Sequence, residues 1–78
     1  MKAILEFNLP EDNQEFKLAT NGVDWWRVCW EMDQWLGVQY KYMADEEFTQ
    51  DRYDAYLESR EKLFELMQEN GVSLDDVQ

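Results

Sequence analysis

The chain has 78 residues and a formal charge of −11, from 18 Asp and Glu against 7 Lys and Arg. That length holds one small domain and leaves little room for a deep catalytic cleft. Aromatic residues make up 15%, four of them Trp, which separates the chain from a disordered acidic tail, while one Cys and no His exclude an internal disulfide and the usual zinc sites.

A surface this acidic repels phosphates and anionic lipid heads, so neither a direct nucleic-acid ligand nor a membrane is expected, and a basic protein is the favoured partner. The absence of a basic, apolar leader and of a run of about 18 apolar residues predicts a cytoplasmic protein.

In chain order, Ala3, Leu5, Phe7 and Leu9 alternate with polar residues, Pro10-Glu11-Asp12-Asn13 carries turn chemistry, and Glu15–Thr20 places Phe16 and Leu18 on one face. This reads as a two-stranded β-hairpin over residues 2–20, ended by Asn21-Gly22. After Gly22 the period changes. Trp25, Cys29, Met32, Leu36 and Met43 follow helical spacing behind Asp24, predicting a helix over about 24–42, with Gly37 inside it. Asp45 is the expected cap of a second helix over about 46–70, Gly71 the expected C′ residue, and Val72 the hydrophobic contact of a Schellman motif. Residues 72–78 read as a short acidic tail. The expected fold is one α+β domain spanning 1–78, a ββαα chain whose hairpin packs on an antiparallel helix pair.

On a wheel of about 100° per residue, Trp26, Trp30 and Gly37 fall on one flank of the first helix, and Val28 and Trp35 on the other. Either the hairpin and the second helix cover both flanks, or Trp26 or Trp30 stays open as an anchor for a partner or a second copy. The second helix has a core stripe of Tyr53, Tyr56, Leu57, Leu63, Phe64 and Met67. Away from it stand Glu47, Asp51, Asp54, Glu58, Glu61, Glu65 and Glu69, within about 80° of one another. Like charges at i,i+4 oppose the helix, and Lys62, four residues after Glu58, offers the favourable pairing. The stripe is either a solvated face or a rail of negative charge, spaced much like the phosphates of a nucleic-acid strand and suited to a basic groove.

Catalysis finds no support. There is no His, no distinct carboxylate pair, no Gly-rich phosphate loop, and Cys29 sits on the core stripe without a basic neighbour in register. Asp45, Glu46 and Glu47 lack the alternation and central Gly of a calcium loop. The chain is read as a non-enzyme without cofactor or metal.

The opening Met1-Lys2, then Leu5-Glu6-Phe7-Asn8-Leu9-Pro10-Glu11 and Glu15-Phe16, together with Trp30, Asp33-Gln34-Trp35-Leu36 and the closing Asn70-Gly71-Val72-Ser73-Leu74, resemble a group of short bacteriophage-encoded accessory proteins. The resemblance spans most of the chain and implies a viral protein acting in the bacterial cytoplasm. It carries over no activity and no functional residue. Two expectations compete. In the first, an acidic inhibitor blocks the groove of a basic, nucleic-acid-handling host defence protein, such as a CRISPR effector, acting as a nucleic-acid mimic through Glu47, Asp51, Asp54, Glu58, Glu61, Glu65 and Glu69 with Trp26 and Trp30 as anchors. In the second, a structural or adaptor protein self-associates as a homodimer through the Trp-rich helix.

Overall fold

The structure is a computed structural model and describes residues 1–76. Its elements are α1 (Asn13–Thr20), α2 (Gly22–Lys41) and α3 (Gln50–Glu69), with single 3₁₀ turns at Asp45–Glu47 and Leu74–Asp76. No strand occurs among the described residues, so the α+β assignment and the hairpin over 2–20 are incorrect: the protein is helical.

The physical reason lies in Asn13–Thr20. Gln, Glu, Lys, Leu and Ala are good helix formers, and the segment has no β-branched residue before Thr20, so two apolar residues in alternation cannot hold it extended. A lone two-stranded hairpin is also marginal in water. Around Pro10 the chain turns. The Asn8 amide donates to the Asp12 carboxylate at 2.9 Å and the Asp12 amide donates back to the Asn8 carbonyl at 2.8 Å. Residues 1–8, left without a partner strand, run as an arm whose Phe7 meets Phe16 of α1 edge-on, ring centroids 5.6 Å apart. Asn21, expected to end a strand, instead joins two helices: its amide bonds to the Lys17 carbonyl and its carbonyl accepts from the Trp25 amide.

The antiparallel helix pair is present. Rings of Tyr40 and Tyr53 lie 5.5 Å apart and those of Trp35 and Tyr56 5.8 Å apart, both edge-on, so residue numbers rise along α2 as they fall along α3. The start of the second helix differs from the expected position. Asp45 opens a 3₁₀ turn, Phe48 and Thr49 are extended, and Thr49 caps α3 by accepting the Arg52 amide at 3.1 Å. Phe48 before the cap packs on Tyr53 four residues after it, ring centroids 6.1 Å apart, which is a hydrophobic staple. Thr49→Ala should therefore cost about 1 kcal/mol in urea unfolding.

At the other end Gly71 has φ 69°, a left-handed conformation that favours glycine. The Val72 amide bonds to the Met67 carbonyl at 3.0 Å and the Gly71 amide to the Gln68 carbonyl at 3.1 Å, completing a Schellman motif. Of the acidic tail, residues 77 and 78 lie outside the described residues. The part described turns back on α2, where Trp26 Nε1 donates to the Leu74 carbonyl at 2.9 Å.

An ion pair supports the helix pair at its centre. The Arg60 guanidinium donates Nε to Asp33 Oδ1 at 2.9 Å, Nη2 to Asp33 Oδ2 at 3.2 Å, and Nη1 to the Tyr40 hydroxyl at 2.9 Å. It crosses α2 over Gly37. A Cβ there would stand 2.8 Å from Nη1 and 3.0 Å from Cζ, so the glycine makes room for the Arg60 side chain. The apolar core beside the pair is small. Among the described residues only Leu36 and Met67 are buried large apolar side chains, each 7% exposed.

Candidate interaction site

With Arg60 and Met67 marking the side of α3 that faces α2, the helix sorts into three surfaces at about 100° per residue. Tyr56, Leu63 and Leu66 lie on the flank shared with Trp35. Leu57 and Phe64 lie on the opposite flank, which α2 completes with Trp26 and Trp30. The carboxylates Asp51, Asp54, Glu58, Glu61, Glu65 and Glu69 occupy an outward arc of about 80°, bordering the Phe64 flank. Asp51, Glu58, Glu61, Glu65 and Glu69 are exposed and Asp54 is half-buried.

Six of the seven expected carboxylates thus share one helix face. Glu47 does not join them. It belongs to the 3₁₀ turn before α3, and its backbone carbonyl accepts from Arg52 Nη1 at 3.2 Å. The acid face therefore runs from Asp51 to Glu69, about 27 Å at 1.5 Å per residue. Two of its members have partners on the same helix. Asp54 Oδ1 accepts from Gln50 Nε2 at 2.9 Å, and Glu65 lies 3.5 Å from Lys62, which pairs forward with Glu65. Both groups of that pair are more than half exposed, so it offsets little of the repulsion along the face.

The indoles divide. Trp26 is half-buried, stacked on Trp30 with centroids 6.3 Å apart, and its N–H is engaged with Leu74. Trp30 is exposed, on the same flank as exposed Phe64, and this flank adjoins the acid face. The groove along it, lined by Asp33, Phe64, Met67, Gln68, Val72 and Leu74, leads from the ion pair toward the C-terminal turn. Cys29 is half-exposed and lines an adjoining cleft of about 250 Å³ with Trp25, Trp26, Met67 and Val72. That volume lies below the range of about 300–1,000 Å³ common for small-molecule sites.

The ion pair governs the electrostatics at the root of the Phe64 flank. The hydrogen bond from Arg60 holds the Asp33 carboxyl below its ordinary value, against the opposing effect of burial, and Asp33 and Tyr40 hold the Arg60 guanidinium above its own. Both groups stay charged, so the pair ties α3 to α2 at this point with the carboxylate face turned outward. No helix of the described residues is long and apolar enough to cross a membrane. Compared with known proteins, the chain matches no protein-family model, no curated protein and no solved structure.

Proposed function

We propose that this chain is a phage-encoded acidic inhibitor that binds a basic, nucleic-acid-handling host defence protein and blocks its nucleic-acid groove. The supporting observation is the arrangement of α3. Its six carboxylates stand on one outward face, with few cations among them, beside the exposed rings of Trp30 and Phe64. A basic groove would supply what the face lacks, and the two rings would add a water-excluding edge to the contact. The viral source rests on the resemblance in Met1–Phe16, Asp33–Leu36 and Asn70–Leu74. A guide-loaded CRISPR effector is the first target to test.

The triple variant Glu58→Lys, Glu61→Lys, Glu65→Lys measures the acid face directly. Binding to the effector, read by biolayer interferometry, should weaken at least about 100-fold in the variant. Wild-type affinity should also fall steeply as salt rises through the physiological range, because charges of this exposure are screened within about 8–10 Å. Helical circular dichroism should be nearly unchanged. The reversal makes opposite-charge pairs of positions 54 and 58 and of positions 65 and 69. It also gives up the exposed Lys62–Glu65 pair and sets Lys62 among new lysines, and these effects of about a few tenths of a kcal/mol largely offset. A variant that binds and blocks DNA as well as wild type would reduce the carboxylates to a solvated face.

A further inference from the structure

We propose that the opposite flank of the helix pair, carrying Trp25, Val28, Met32 and Trp35, is the contact surface of a homodimer, covered by a second copy of this chain. The four residues are spaced 3, 4 and 3 apart, the repeat of a helix seam that packs against another helix. Each is 48–59% exposed in the single chain. They line two successive shallow grooves along α2, one shared with Glu31 and one with Asp24. Trp35 meets Tyr56 edge-on, and exposed Leu66 lies on the same flank of α3, so the apolar surface continues from one helix to the other.

The exposed area is of the size a dimer contact needs. A compact monomer of 9.5 kDa exposes about 5,000 Å², whereas this chain exposes 6873 Å². The excess is thus roughly 1,800 Å², part of it on the exposed arm of residues 1–8. A stable dimer buries about 800 Å² on each partner, less than half of this excess. A second copy suits it because an isologous contact closes on itself, and two helix pairs meeting by this flank complete a four-helix arrangement around a larger core. Of the α3 carboxylates, Glu58 borders this flank, in a groove with Ala55, Leu63 and Leu66, while Glu61 and Glu65 point outward. This inference does not rest on the proposed function: dimerisation uses the opposite flank and needs no target.

Sedimentation equilibrium of the full chain tests it. Wild type should sediment at twice the 9.5 kDa of one chain, and its melting temperature should rise with protein concentration. Association should strengthen with salt, since two chains of charge −11 repel one another. That is the reverse of the salt dependence expected for docking on a basic groove. Met32→Glu should raise the dimer dissociation constant at least about 100-fold, and its exposure in the single chain leaves the helix pair able to form. Reversal of Glu61 and Glu65 alone to Lys, clear of the groove that Glu58 lines, should weaken target binding and leave the dimer in place, so loss of target binding and loss of dimer are separable. A wild type that stays monomeric at about 200 μM, with a melting temperature independent of concentration, would overturn the proposal, as would a Met32→Glu variant that sediments like wild type.

Discussion

Arg60→Met should destabilise the protein by about 2–3 kcal/mol, lowering its melting temperature by about 10–15 °C. The variant keeps the apolar stem but leaves Asp33 charged, 17% exposed at its side chain and without the bidentate partner it has in the native protein. Breaking a buried pair costs most when one charge is left behind. The pair here retains some contact with water, which places the effect below the roughly 3–5 kcal/mol of a fully buried pair. Asp33→Asn should behave similarly at neutral pH, and its pH dependence identifies the cause. Arg60 depresses the folded-state pKa of Asp33 below the unfolded value of about 3.8. A depressed carboxyl contributes stability that is fully present above the unfolded pKa and is lost as pH falls through the folded one. The stability gap between wild type and Asp33→Asn, read by urea unfolding, should therefore stay constant from neutral pH down to about 4 and narrow below it. A gap that closes already near neutrality would assign the effect to another group.

Gly37 gives the same network a test of sign. Glycine inside a helix costs about 1 kcal/mol relative to alanine, so Gly37→Ala alone would be expected to stabilise α2. The new methyl, however, would stand 2.8 Å from Arg60 Nη1, an atom held by the Tyr40 hydroxyl while the rest of the guanidinium is held by Asp33. Displacing it gives up charge-assisted hydrogen bonds worth more than the propensity gained. Gly37→Ala should thus destabilise wild type yet stabilise Arg60→Ala, a coupling that a double-mutant cycle reads directly.

The expectations drawn from the sequence do not include this network, although the signal for it is present. Asp33 stands between Cys29 and Leu36, and Arg60 between Tyr56 and Met67, each at a core register of its helix where a charge needs a partner. Helical periodicity located α2 and α3, and the Gly71-Val72 pair marked the C-terminal cap, because both signals are local. The β-hairpin was misread since a few alternating residues in Ala3–Leu9 specify a strand only when a partner strand exists. The propensities of Gln14, Glu15, Lys17, Leu18 and Ala19 pointed to helix instead. Gly37 is visible as a glycine on the Trp26 and Trp30 flank, but what approaches it depends on how two helices align. That alignment also decides which indoles stay outside. Trp26 is tied to Leu74 across 48 positions of the chain, a relation that no periodicity encodes.

Leu36→Ala should have the largest effect of any core truncation in α2. Leu36 faces α3 and is one of two buried large apolar side chains among the described residues. Truncating a buried Leu costs about 2–5 kcal/mol through lost transfer energy and the cavity left behind. A single core of this size seldom supplies more than about 3–5 kcal/mol in total. The variant should therefore lose most of its helical signal at 25 °C under dilute conditions, where assembly adds nothing. Val38, two residues on, is exposed on the outer side of α2, away from both α3 and the Trp25–Trp35 seam. Val38→Ala should change stability by no more than about 0.5 kcal/mol. Equal losses in the two variants would mean that α2 is rotated from the orientation described, and Leu36 would then not be the residue on which the helix pair closes.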